Sequence, residues 1–183
     1  MNKKLLSLYG LKWNPFSPEL PLEGLYATPA VEHFAHRIEH HLVREGGFAL
    51  IVGDPGLGKS VALRPLAARL SRLPDISAQA LTRPQSSLAD FYREMGELFG
   101  VSLRPHNRWA GSRSLRERWL AHIDSTLLRP VLLIDEAQEM SPAVLSELRL
   151  LASTQFDSRI VLSVVFAGDG RFQDKLRRDD LVP

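Results

Sequence analysis

Cysteine is absent from all 183 residues, so the chain has no disulfide framework, no thiolate-bound zinc and no thiol nucleophile. Long apolar runs are absent too. Phe48 to Val52 and Val131 to Ile134 fall far short of the ~20 residues a membrane span needs. Lys3 and Lys4 are followed by no apolar stretch of the kind that makes a secretory signal. There is no low-complexity tract and no internal repeat. Neither charge sign dominates, since 23 Lys and Arg face 21 Asp and Glu. With 44% hydrophobic and 24% charged residues, disordered, collagenous and disulfide-scaffold classes are excluded. A soluble cytoplasmic domain is expected, long enough to bury roughly 70% of its unfolded surface.

What is present is an alternation of strand and helix signals. Phe48–Val52 is a continuous apolar run ended by Gly53, the mark of a strand buried on both faces. A helix is predicted over 58–72, a weaker strand over 76–81, and a helix over 87–99 with Leu88, Phe91, Met95 and Leu98 on one face. Residues 100–111 read as a loop, 114–128 as a helix, and Val131–Ile134 as the clearest buried strand. Ser141 and Pro142 supply an N-cap and a helix-starting proline for a helix over 143–152. A fourth strand over 160–167 and a short helix over 171–178 follow. Strands separated by helices imply an α/β fold, a parallel sheet with helices on both faces. Residues 1–46 read as an irregular arm and a helix over 29–45 that pack on a core formed by residues 47–183. Pro65 lacks a backbone donor and is expected to kink or shorten its helix beyond the first turn.

Gly53-Asp54-Pro55-Gly56-Leu57-Gly58-Lys59-Ser60 matches the phosphate-binding loop pattern at every required position, after a strand and before a helix that continues with Val61. Glycines let backbone N–H groups turn inward around a β-phosphate, and the helix N-terminus adds its dipole. Lys59 reaches the β- and γ-phosphates of ATP, and the Ser60 hydroxyl ligates Mg²⁺. Val131-Leu132-Leu133-Ile134-Asp135-Glu136 ends a strand, expected beside the first one, in two acids. Asp135 is expected to take the Mg²⁺, directly or through water, and Glu136 is placed to polarise a water for attack on the γ-phosphate.

These two motifs, with Asp135-Glu136-Ala137-Gln138 and the early Tyr9-Gly10-Leu11-Lys12-Trp13-Asn14-Pro15-Phe16, resemble AAA+ ATPases of the ExeA/TnsC/MuB type, which serve transposition and general secretion. Ser17-Pro18-Glu19-Leu20-Pro21 and Phe166-Ala167-Gly168-Asp169-Gly170-Arg171-Phe172 look more like the transposition branch. The resemblance implies an ATP-dependent regulator that binds DNA as an oligomer and brings a transposase to its target, with a secretion ATPase or a nucleotide-gated interaction module as alternatives. It also implies a γ-phosphate sensor at Asp169, although a carboxylate there departs from the usual amide or hydroxyl. Thr82 falls where such proteins keep a residue that restrains the catalytic Glu. Asn14 and Phe16, with Leu25 and Tyr26, fall where the adenine is covered. A fifth core strand, a helical lid and an arginine finger are expected past the fourth strand, where this sequence leaves no room for them.

Arginine outnumbers lysine 18 to 5, a bias that suits planar contacts with phosphate. Arg104, Arg108, Arg113, Arg116 and Arg118, with His106 and Trp109, make a basic stretch opposed within it only by Glu117. Arg104, Arg108 and Arg113 are the candidate DNA contacts, and Arg171, Lys175, Arg177 and Arg178 form a second basic cluster. His33, His36 and His40 fall on one helical arc opposite Val31, Ala35, Ile38 and Leu42, a surface row rather than a metal site.

Overall fold

Helix α1 (Lys3–Leu8) and an irregular arm with one tight turn (Leu22–Gly24) lead to α2 (Pro29–Arg37), which a π-helical turn (Ile38–Leu42) joins to α3 (Val43–Glu45). Then come β1 (Gly47–Val52), α4 (Lys59–Leu70), β2 (Ala78–Leu81), α5 (Leu88–Phe99), α6 (Arg108–Thr126), β3 (Val131–Ile134), α7 (Pro142–Ala152), β4 (Ser153–Thr154), β5 (Arg159–Ile160), β6 (Ser163–Gly168) and α8 (Gly170–Leu176). This computed structural model describes residues 3–17, 19–103, 107–154 and 158–177.

The main sheet is parallel, in the order β1-β6-β3-β2. Its central strands are buried on both faces, which their unbroken apolar sequence requires. Leu132, Ile134, Val164 and Phe166 point into one core with Phe91, Met95, Trp119 and Leu148 from α5, α6 and α7. Val131, Leu133, Val165 and Ala167 point into a second core with Leu63, Leu66 and Leu70 from α4 and Ala35, Ile38 and Val43 from the N-terminal helices. The register sets Val52 beside Gly168 and Ile134 beside Phe166, so β1 and β6 end level and β3 ends two residues earlier, on the same side of the sheet. One expectation is corrected here. The strand beside β1 is β6, not the acid-bearing β3, which lies one place further across.

Other boundaries also differ from the sequence expectation. Helix α6 starts six residues before Ser114, because the Asn107 side chain accepts the Ala110 N–H at 3.0 Å and caps it. The expected helix over 29–45 is interrupted by its π turn, which the Ser163 hydroxyl anchors by donating to the Leu42 carbonyl at 2.8 Å. Helix α4 runs through Pro65 to Leu70 rather than ending there. The strand expected over 160–167 is two strands. The Val161 and Leu162 N–H groups both donate to the Ala152 carbonyl, and the chain bends between β5, paired antiparallel with β4, and β6.

The candidate nucleotide site

The loop after β1 takes its shape from its glycines and from Lys59. Gly56 and Gly58 have φ of 86° and 84°, left-handed values that side chains rarely adopt. Lys59 opens α4, is nearly buried, and donates from Nζ to the carbonyls of Gly53 at 2.8 Å and Asp54 at 3.1 Å. An incoming phosphate would take over these donors. Pro55, Gly56, Gly58, Lys59, Ser60 and Val61 line one wall of a cleft of about 350 Å³, and Glu136, Gln138, Asp169 and Arg171 line the other. Gly53 and Asp54 serve as the lysine's acceptors, and Leu57 is exposed.

At the end of β3, Asp135 accepts the Glu136 N–H on Oδ1 at 2.9 Å. Glu136 adopts φ 51° and ψ 42°, a left-handed conformation costly for a residue with a side chain. That turn aims its carboxylate into the cleft, where Gln138 Nε2 donates to Glu136 Oε2. Asp135 lies in the adjoining hollow with Leu81 and Thr82, which it shares with Glu136. The Ser60 hydroxyl and the Asp135 carboxylate are hard oxygen donors, the kind that Mg²⁺ takes.

A family model described as an AAA domain matches residues 40–176. The chain belongs to this AAA domain family. General secretion pathway protein A of Aeromonas hydrophila is 30% identical over 173 residues, 93% of this chain and 31% of that protein. The chain thus spans about a third of its relative's length, and the likeness is to an ExeA-like AAA+ ATPase. Among solved structures, Cdc6p from Pyrobaculum aerophilum matches with TM-score 0.59 at 18% identity, covering 90% of this chain and 44% of that one. The ORC2 protein of Aeropyrum pernix matches with TM-score 0.60 at 16% identity, covering 89% and 45%. Both share the α/β fold.

Within this AAA domain, sequence reasoning missed Gln138. It is buried, and both ends of its amide are used: Nε2 on Glu136, and Oε1 accepting the Asp169 N–H at 3.2 Å. Its signal was the Gln that closes the Asp-Glu-Ala-Gln run. The residue hydrogen-bonded to the Glu136 carboxylate is Gln138, not Thr82. Thr82 is turned to α5, where its N–H and hydroxyl both donate to Glu94 Oε1 at 2.6 Å.

Asp169 lines the cleft, and its carboxylate accepts from Arg171 at both Nε (2.9 Å) and the backbone N–H (2.9 Å). The Arg171 hydrogen bond, followed by the charges of Arg171 and Lys59, holds the Asp169 carboxyl below its usual range despite burial. Asn14 accepts the Phe16 N–H at 3.1 Å, and Phe16 is 88% exposed; neither lines the cleft. The arm nevertheless reaches the site's own helix, because Arg64 of α4 donates to the Leu20 carbonyl at 2.6 Å.

The basic stretch proves well partnered. Arg108 pairs with Glu147 of α7 at 2.6 Å, Arg113 with Glu117 at 2.7 Å, and Arg116 donates to the Leu150 carbonyl at 2.5 Å. Glu117 is therefore not its only opposing acid. Arg108 and Arg113 stand on α6 rather than on a loop, while Arg104, His106 and Arg178 lie outside the described residues. In the second cluster Lys175 donates to the Gln138 and Met140 carbonyls, and Arg177 pairs with Asp174 at 3.6 Å. The histidines His33, His36 and His40 are all exposed. Ligand atoms of His36, Glu39 and His40 come within 4.8 Å of one another, but Glu39 is already forked by Arg69 at 2.5 and 3.2 Å.

Proposed function

We propose that the chain binds ATP with Mg²⁺ in the cleft at the carboxyl ends of β1, β6 and β3 and hydrolyses it. The observation that carries this reading is the convergence of Lys59, Ser60 and Glu136 on one cleft. The loop N–H groups and Lys59 hold the β- and γ-phosphates. Ser60 and Asp135 hold the Mg²⁺, which supplies positive charge against those phosphates. Glu136 accepts a proton from the attacking water, and Gln138 keeps its carboxylate aimed. The arm around Asn14, Phe16, Leu25 and Tyr26 covers the adenine, a reading supported by its tie to α4 through Arg64.

Two variants test this. Lys59→Ala should lose nucleotide binding while staying folded. Glu136→Gln should bind ATP but not turn it over, since an amide keeps the shape and cannot act as a base. If both turned over ATP like the parent, the cleft would be the wrong site.

For the larger task we propose an ATP-dependent, oligomeric regulator of DNA transposition that recruits a transposase to target DNA. The segments over 17–21 and 166–172 support this, as does Trp109, 72% exposed on α6 beside Arg108 and Arg113. The second reading is an ATPase of general secretion, favoured by the relative that is 30% identical over 93% of the chain. DNA retention measured against salt separates them. The transposition reading expects retention that falls steeply with salt, and a slope reduced by about one unit per lost phosphate contact in the Arg108→Ala, Arg113→Ala double variant. No retention at low salt leaves the secretion reading.

A further inference from the structure

Arg171 stands two residues past Asp169, at the start of α8, and it lines the same cleft as Lys59, Ser60 and Glu136. Along the sequence it belongs to a second basic cluster with Lys175, Arg177 and Arg178. The structure instead gives it a fixed seat between two acids. Its Nη2 lies 2.8 Å from Asp169 Oδ2 and 3.2 Å from Glu139 Oε1, and its Nε donates to Asp169 at 2.9 Å. The Nη1 donors have no partner among the described residues. A guanidinium has five N–H donors in a rigid fork, so one edge is clamped and one end stays free. The side chain remains 68% exposed, so an anion entering the cleft can reach it.

Asp169 makes this arrangement necessary. An ionised carboxylate only accepts hydrogen bonds, so it cannot donate to a phosphate oxygen. Standing alone at the end of β6, among the cleft residues, it would repel the phosphates that the loop and Lys59 gather. Clamped to Arg171, it becomes the anchor of a cation. We infer that Arg171 is the terminal-phosphate reader of this site, engaging the γ-phosphate of a nucleoside triphosphate in cis and selecting it over the diphosphate. This rests on the ATP-binding reading of the cleft. Arg171 is the binding residue, Asp169 its positioning residue, and Gln138 fixes Asp169 in turn through the backbone N–H.

The test measures affinities of the full chain for ATPγS and for ADP, each with Mg²⁺, by competition against a fluorescent nucleotide. Arg171→Ala should weaken ATPγS about tenfold or more, the loss expected for a charge-assisted hydrogen bond. ADP should stay within about twofold, because it lacks the phosphate that Arg171 reads. Arg171→Lys keeps the charge without the fork and should fall between parent and Ala. Lys59→Ala is the control and should lose both nucleotides. If it kept both, the cleft reading itself would fail. If Lys59→Ala lost both while Arg171→Ala left the ATPγS-to-ADP ratio unchanged, the Arg171 inference alone would be overturned. Equal weakening of both nucleotides by Arg171→Ala would overturn it too, since that is what a purely structural role gives.

Discussion

Replacing Gln138 by Ala takes out one buried side chain and breaks two bonds at once. The Asp169 N–H, buried at the end of β6, loses its acceptor among the described residues, Gln138 Oε1. A buried donor left without a partner costs about 1–3 kcal/mol. Taking about 2 kcal/mol, and about 2–4 °C per kcal/mol for a domain of this size, the Tm should fall by about 4–8 °C. The second broken bond acts on chemistry. Glu136 keeps its left-handed backbone but loses the amide that aims its carboxylate, so turnover should drop by about 10- to 100-fold. Affinity for ADP should stay within about twofold, because Lys59 and the loop are untouched. Scanning calorimetry, turnover at saturating ATP and nucleotide titration read the three effects separately. A Tm within 1 °C of the parent, together with parental turnover, would refute the bridging role.

Gly96 in α5 should not tolerate Ala. The added Cβ would sit 2.7 Å from the Val101 carbonyl oxygen and 3.0 Å from Leu103 Cγ, and a backbone oxygen cannot step aside. Gly96→Ala should cost about 1–3 kcal/mol in urea unfolding with an unchanged slope; a parental midpoint would count against the packing argument. Burial, and then the nearby charge of Arg118, push the His122 imidazole below its ordinary pKa. The unfolded chain therefore binds more protons than the native one just below pH ~6.5, and stability should be full above that pH and fall as pH drops through it. His122→Gln should flatten this dependence between pH 7.5 and 5.5 in urea titrations, a window separate from carboxylate losses below pH ~4. An identical pH slope in the variant would place the proton uptake elsewhere.

Local chemistry made part of this molecule legible in the sequence. The phosphate loop is eight consecutive residues in which Gly56 and Gly58 are needed for their own positive φ values, so pattern and geometry coincide there. Val131–Ile134 reads as a central strand because four consecutive apolar residues suit burial on both faces of a parallel sheet, and Ser141 caps α7 through its own hydroxyl. These features depend on neighbours a few positions away.

Tertiary structure decided what depends on distant pairs. The sheet order that puts β6 between β1 and β3 follows from how the helix layers pack, and no local signal in any one strand states it. Gln138 meets Asp169 across 31 residues, Arg108 meets Glu147 across 39, and Arg171 meets Glu139 across 32. Read along the chain, Arg108 was a candidate for DNA, Arg171 was one of a second basic cluster and Gln138 had no assigned part. The fold supplied the partner that defined each one. A side chain's charge and hydrogen-bonding capacity are written in its residue type, but which of them remains unspent is set only when the strands bring the partners together.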